Sequence, residues 1–61
     1  MNDDLERAGG RLYRAREALA QALAQAQNEA LKALDEGVPE TVVARALGVD
    51  RMTIRKWAGK R

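Results

Sequence analysis

Residues 39–57 have the sequence PETVVARALGVDRMTIRKW, and this segment contains the clearest structural pattern of the chain. A proline suits the first position of a helix because its missing amide hydrogen would be unpaired there, and the acidic residue after it favours the same helix end. Gly48 supplies the positive φ that a tight turn requires, and Asp50 is a good N-cap for a further helix. The spacing therefore predicts two short helices, over residues 39–47 and 51–58, joined by a turn.

Two helices that cross at a steep angle need a small residue where their backbones approach, and Ala44 supplies it. Apolar side chains from both helices and from the turn would fill the space between them. The residues expected to build this unit are Val43, Ala44, Leu47, Gly48, Val49, Ile54 and Trp57. Trp57 follows Ile54 at the spacing of one helical face, so it is interpreted as core; a platform for base stacking is the alternative.

Residues 39–57 resemble the helix-turn-helix of prokaryotic DNA-binding proteins, most of all the C-terminal domain of resolvase and invertase recombinases, and are similar to phage-type repressors. The resemblance implies that the last helix enters the major groove with its N-terminal residues against base edges. It covers about a third of the chain. A helical hairpin from another three-helix domain is the alternative, which would not call for basic residues on the last helix.

The face of the last helix opposite its apolar residues carries the candidate DNA contacts. Arginine can present a planar fork to guanine O6 and N7, and methionine can lie against a thymine methyl group. The expected base contacts are Arg51, Met52 and Arg55, and the expected phosphate contacts are Thr41, Thr53, Lys56, Lys60 and Arg61. Asp50 would repel phosphates, so it is either a simple cap or an acceptor for a cytosine amino group. An ordinary solvated helix face is the alternative for the set.

Upstream, residues 11–36 consist almost entirely of strong helix formers and predict one long helix that ends at Gly37. The glycine pair before it leaves residues 1–10 as a flexible or short helical N-terminus. Of this long helix, only residues 30–34 are needed to close the three-helix core. The remaining upstream part of the helix would expose an apolar stripe to water unless a second chain covered it. The expected dimer seam is Leu12, Leu19, Leu23 and Ala26. A helix folded back on its own motif is the alternative.

The charge distribution is uneven. Residues 1–36 carry five Lys/Arg against seven Asp/Glu, a net of −2, whereas residues 37–61 carry six against two, a net of +4. This asymmetry favours a polyanion as the partner of the C-terminal segment, with a solvated basic tail as the alternative. No serine, cysteine or histidine is present, so neither a disulfide, an ordinary zinc site nor a usual nucleophile and base is available.

The sequence thus predicts an all-α protein, a long N-terminal helix followed by a helix-turn-helix over residues 37–61. We expect a cytoplasmic homodimer that binds double-stranded DNA sequence-specifically, a repressor-like transcriptional regulator with no enzymatic activity, cofactor, metal, small-molecule ligand or membrane partner. Two alternatives remain: an accessory or architectural DNA protein, such as an excision factor, which would bend DNA, and a helical protein-interaction module without salt-dependent DNA affinity.

Overall fold

A computed structural model describes residues 2–59 as three α-helices, α1 (Asp3–Asp35), α2 (Glu40–Leu47) and α3 (Arg51–Trp57). Within that span there is no strand, and the fold is all-α as predicted. The described residues extend over 55 × 19 × 17 Å. The long dimension belongs to α1, because 33 residues at about 1.5 Å each make a rod of roughly 50 Å.

The first helix begins earlier than the strong helix formers do. Asn2 is its N-cap, and the side-chain oxygen of Asn2 accepts hydrogen bonds from the amides of Asp4 (3.2 Å) and Leu5 (3.4 Å). The helix then passes through Gly9 and Gly10 without a break, although each glycine costs about 1 kcal/mol relative to alanine. A boundary between an N-terminal segment of residues 1–10 and a helix from residue 11 is therefore not found, and residues 3–35 form one continuous helix.

The end of α1 follows from local backbone chemistry. Gly37 has a φ of 94°, its amide donates to the Leu34 carbonyl (3.0 Å), and the Val38 amide donates to the Ala33 carbonyl (3.0 Å). This pair of bonds is the Schellman arrangement, which satisfies carbonyls that would otherwise be orphaned at a helix end. It also directs Val38 back onto the core beside Ala33.

The second helix ends in the same way but begins one residue later than expected. Pro39 has a ψ of 146°, which is extended, so it is the N-cap and Glu40 is the first helical residue. Gly48 takes a left-handed φ of 71° as predicted for the turn, and the Val49 amide donates to the Ala44 carbonyl at 3.0 Å. The Gly48 amide also donates to the Arg45 carbonyl at 3.3 Å, so the turn between α2 and α3 is set by one glycine and two backbone bonds.

The core lies where the three helices meet. Four residues are buried there: Ala30, Val43, Ala44 and Ile54. Six partly buried side chains pack against them: Ala33, Leu34, Val38, Leu47, Val49 and Trp57. The apolar residues that the sequence assigns to the helix-turn-helix interior thus lie in this cluster or against it, and only the last turns of α1 take part.

The rest of α1 projects from this core. The radius of gyration is 16.2 Å, whereas a compact chain of this length would have about 10–11 Å. Large apolar side chains along the projecting part are exposed: Leu5, Leu12, Tyr13, Leu19 and Leu23. In the portion of the chain that the structure describes, no helix combines the length and apolarity that crossing a membrane requires.

Candidate nucleic-acid interface

The position of α3 is set by one buried residue. Ile54 is fully buried between α3 and the other helices, and Trp57, one turn later, is half-buried against the same core. Residues three apart lie on one face of a helix, so the opposite face is turned outwards. Met52, at 68% exposure, is among the most exposed large apolar residues of the chain, and Arg51 and Lys56 are exposed beside it.

The start of α3 is closed by the predicted cap. Oδ1 of Asp50 accepts hydrogen bonds from the Thr53 amide (2.7 Å) and from the Thr53 hydroxyl (2.9 Å). Because phosphate oxygens only accept, the Thr53 hydroxyl could donate to a phosphate only by giving up its bond to Asp50. A phosphate contact at the Thr53 hydroxyl would therefore compete with the bond from that hydroxyl to the capping carboxylate of α3.

The charge of Asp50 is a fixed feature of this helix end. The hydrogen bond from the Thr53 backbone amide, and secondarily the bond from its hydroxyl, hold the pKa of the Asp50 carboxyl below its ordinary value. Asp50 is thus ionised at neutral pH and can only accept hydrogen bonds. Any DNA docked on α3 meets a carboxylate at the helix N-terminus.

Sequence reasoning missed a contact between α2 and α3. Nε of Arg51 and Nη1 of Arg55 both donate to the same carboxylate oxygen, Oε1 of Glu40, at 3.2 and 3.3 Å. The carboxylate is largely covered, with 15% of its side chain exposed, while the side chains of Arg51 and Arg55 are 58% and 33% exposed. The sequence indicates this contact only weakly, through an acidic residue at the start of one predicted helix and two arginines four residues apart on the next.

The other predicted contacts are spread around this unit. Thr41 is exposed in the first turn of α2, and Lys56 is exposed in the last turn of α3. Lys60 and Arg61, predicted as phosphate contacts, lie outside the described residues. Across residues 2–59, no acidic residues cluster in a way that could hold a metal ion.

Comparison with known protein families adds an independent finding. The family model of the homeodomain-like domain, a helix-turn-helix DNA-binding fold, matches residues 11–58. The match takes in α2, α3 and most of α1, so it reaches far beyond residues 39–57. The narrower likeness to the resolvase and invertase domains is not confirmed by it. Neither the curated proteins nor the solved structures contain a match to this chain.

Proposed function

This chain belongs to the homeodomain-like domain family and carries its helix-turn-helix DNA-binding fold; from that premise we propose that it is a sequence-specific, homodimeric regulator of transcription. One observation carries the proposal: α3 buries Ile54 against the core and presents arginine, methionine and lysine on its outer face. A helix of this kind, supported from behind by two others, is the shape that enters a major groove. The proposed activity is binding and needs no catalytic group.

Base readout is assigned to Arg51, Met52 and Arg55. The two arginines provide forked donors suited to guanine O6 and N7, the commonest specific contact in the major groove. Met52 extends from the first turn of α3 and offers a flexible apolar contact for a thymine methyl group. All three lie within the first five residues of α3, the part of a recognition helix that approaches base edges.

Phosphate binding is assigned to groups around α3. Lys56 supplies an exposed cation, and Thr41, together with the first amides of α2, can hold a phosphate at the helix N-terminus. Lys60 and Arg61 would add electrostatic attraction without sequence information. Thr53 is the weakest member of this group because its hydroxyl already donates to Asp50.

The homodimer is proposed from the projecting part of α1. Leu12 and Leu19 are seven residues apart and, with Leu23, form an exposed apolar stripe; Ala26, half-buried, continues it towards the core. A repeat of seven residues is the spacing at which two helices wind around each other. A second copy of the chain would cover the stripe and place two recognition helices for half-sites about 34 Å apart.

Competition binding tests the proposed function. A preferred duplex is first selected from a random pool, and Arg51→Ala and Arg55→Ala are each expected to weaken that site by about 1–3 kcal/mol and random DNA little. Lys56→Ala should weaken all sequences alike, and Lys32→Ala, on α1, removes the same charge as a control. Equal loss on selected and random DNA by the arginine variants would show that they contact phosphates, not bases.

The exposed leucines of α1 favour a second candidate, a protein-interaction module that uses this helix as its working surface. Such a module would show no DNA affinity that falls with salt, whereas a DNA-binding protein loses affinity steeply as salt rises. Measuring the salt dependence on the same duplexes separates the two functions.

A further inference from the structure

One carboxylate oxygen joins the two arginines to which base readout is assigned. Oε1 of Glu40 accepts from Nε of Arg51 at 3.2 Å and from Nη1 of Arg55 at 3.3 Å, across the gap between α2 and α3. Resting on the proposed function, we propose that Glu40 is a positioning residue that holds both arginines as one reading unit and so determines sequence specificity.

The bonds to Glu40 leave both guanidinium groups able to read a base. A guanidinium has five N–H donors and two edges that each present two donors in parallel. Arg51 uses Nε, which leaves its two terminal nitrogens free to form the outer edge. Arg55 uses Nη1, which leaves the edge formed by Nε and Nη2. Each arginine therefore keeps one two-donor edge, which is what guanine O6 and N7 require.

Holding the arginines also removes part of the cost of binding. A long side chain that becomes immobilised only on binding loses rotamer entropy in the binding step, whereas a side chain that is already held loses less. Glu40 suits this role because it is largely covered and stands at the first position of α2, where a carboxylate is favoured by the helix dipole. Its position is therefore set by the fold and not by the DNA.

The same carboxylate weakens binding to the wrong DNA. Two arginines without Glu40 would offer phosphates two full positive charges, whereas the three groups together carry a net charge of +1. Binding without sequence preference depends on the number of phosphates neutralised, so Glu40 should lower it. Both effects raise specificity, because the restraint of the arginines strengthens binding to the preferred sequence and the added negative charge weakens binding to all other DNA.

The test compares Glu40→Gln, Glu40→Asp and wild type on the selected duplex and on random duplex. Glu40→Gln should reduce the ratio of selected to random affinity by up to roughly tenfold, because its neutral amide oxygen is a weaker acceptor than the carboxylate and holds both arginines less firmly. Its affinity for random DNA should rise, and the slope of log affinity against log salt should steepen by up to about one. Glu17→Gln, an exposed carboxylate on α1, removes the same charge and should leave the ratio unchanged.

Glu40→Asp separates position from charge, because it keeps the carboxylate but shortens its reach by one methylene. It should lose specificity as Glu40→Gln does while keeping the wild-type salt slope. Nitrogen-15 NMR of the arginine Nε group of Arg51 reports directly whether the bond to residue 40 persists in each variant. Thermal midpoints of all variants provide the measure of folding.

Two results would overturn the inference. Specificity equal to wild type in Glu40→Asp, or in Glu40→Gln with the Arg51 bond lost, would show that the restraint has no part in readout. A parallel fall in selected and random affinity together with a lower thermal midpoint would show that Glu40 serves the fold only. If wild type itself preferred no sequence, the proposed function would fail instead, and the selection step alone would reveal that.

Discussion

The exchange Leu19→Glu has different expected effects in a monomer and in a homodimer. In the single chain Leu19 is 60% exposed and glutamate forms helices about as well as leucine, so a monomer should change in stability by no more than about 0.5 kcal/mol. In a homodimer seam the same exchange places one carboxylate from each chain in an apolar contact. Each unpaired buried charge costs several kcal/mol.

The effect should be large enough to see in the mass of the free protein. A loss of about 4 kcal/mol per dimer raises the dissociation constant about 10³-fold, because 1.4 kcal/mol corresponds to a factor of ten. Sedimentation equilibrium at tens of micromolar should give twice the chain mass of 6.7 kDa for wild type and one chain mass for Leu19→Glu. On DNA, the monomer keeps one recognition helix, so the salt slope should shrink towards half.

Gln21→Glu is the matched control, since residue 21 is exposed and lies about 200° around the helix from residue 19. It adds the same charge and should leave the mass and the salt slope unchanged. The dimer seam would be refuted if wild type sedimented as a 6.7 kDa monomer and Leu19→Glu bound a duplex with two half-sites as tightly as wild type. A different partner protein would then be the occupant of the leucine stripe.

Two further predictions concern the helix-turn-helix unit. Ala44→Leu should overpack the buried helix crossing at residue 44, which would lower the free energy of unfolding by about 1–3 kcal/mol and the thermal midpoint by roughly 5–20 °C. Ala46→Leu, at an exposed position of the same helix, should change the midpoint little. Equal midpoints for the two variants would show that the helices do not cross at residue 44. The pKa of Asp50 is lowered in the folded protein, so its capping contribution is complete above the ordinary value of 3.8 and is lost as pH falls through the folded pKa. Wild type should therefore be more stable than Asp50→Ala by a constant amount from neutral pH to about 5, and the difference should shrink below about 4. Asp50→Asn caps the helix without titrating, so its advantage over Asp50→Ala should not change with pH. A wild-type advantage that stayed constant at low pH would show that the carboxylate form is not required.

The parts of this protein that sequence alone determined are those that local chemistry decides. Gly37 and Gly48 end helices because their positive φ is open to few other residues, and Asp50 caps α3 through bonds to a residue three positions later. The core face of α3 follows from helical periodicity, which places Ile54 and Trp57 one turn apart. Each of these features depends on residues within one or two helical turns, so the printed order of residues contains the information.

Other features depended on free energies or distances that local patterns do not contain. The glycine pair at residues 9 and 10 indicated an interruption, yet α1 runs through it, because a local cost of about 1 kcal/mol per glycine does not by itself end a helix that continues on both sides. The pairing of Glu40 with Arg51 and Arg55, which are 11 and 15 residues further along the chain, arises only when the helices pack together. The helical periodicity of apolar residues shows which side chains share a face of one helix, but not which residues of another helix that face contacts. Which charged side chains meet between α2 and α3 is set by the angle at which the two helices pack, and that angle depends on the core that all three helices form.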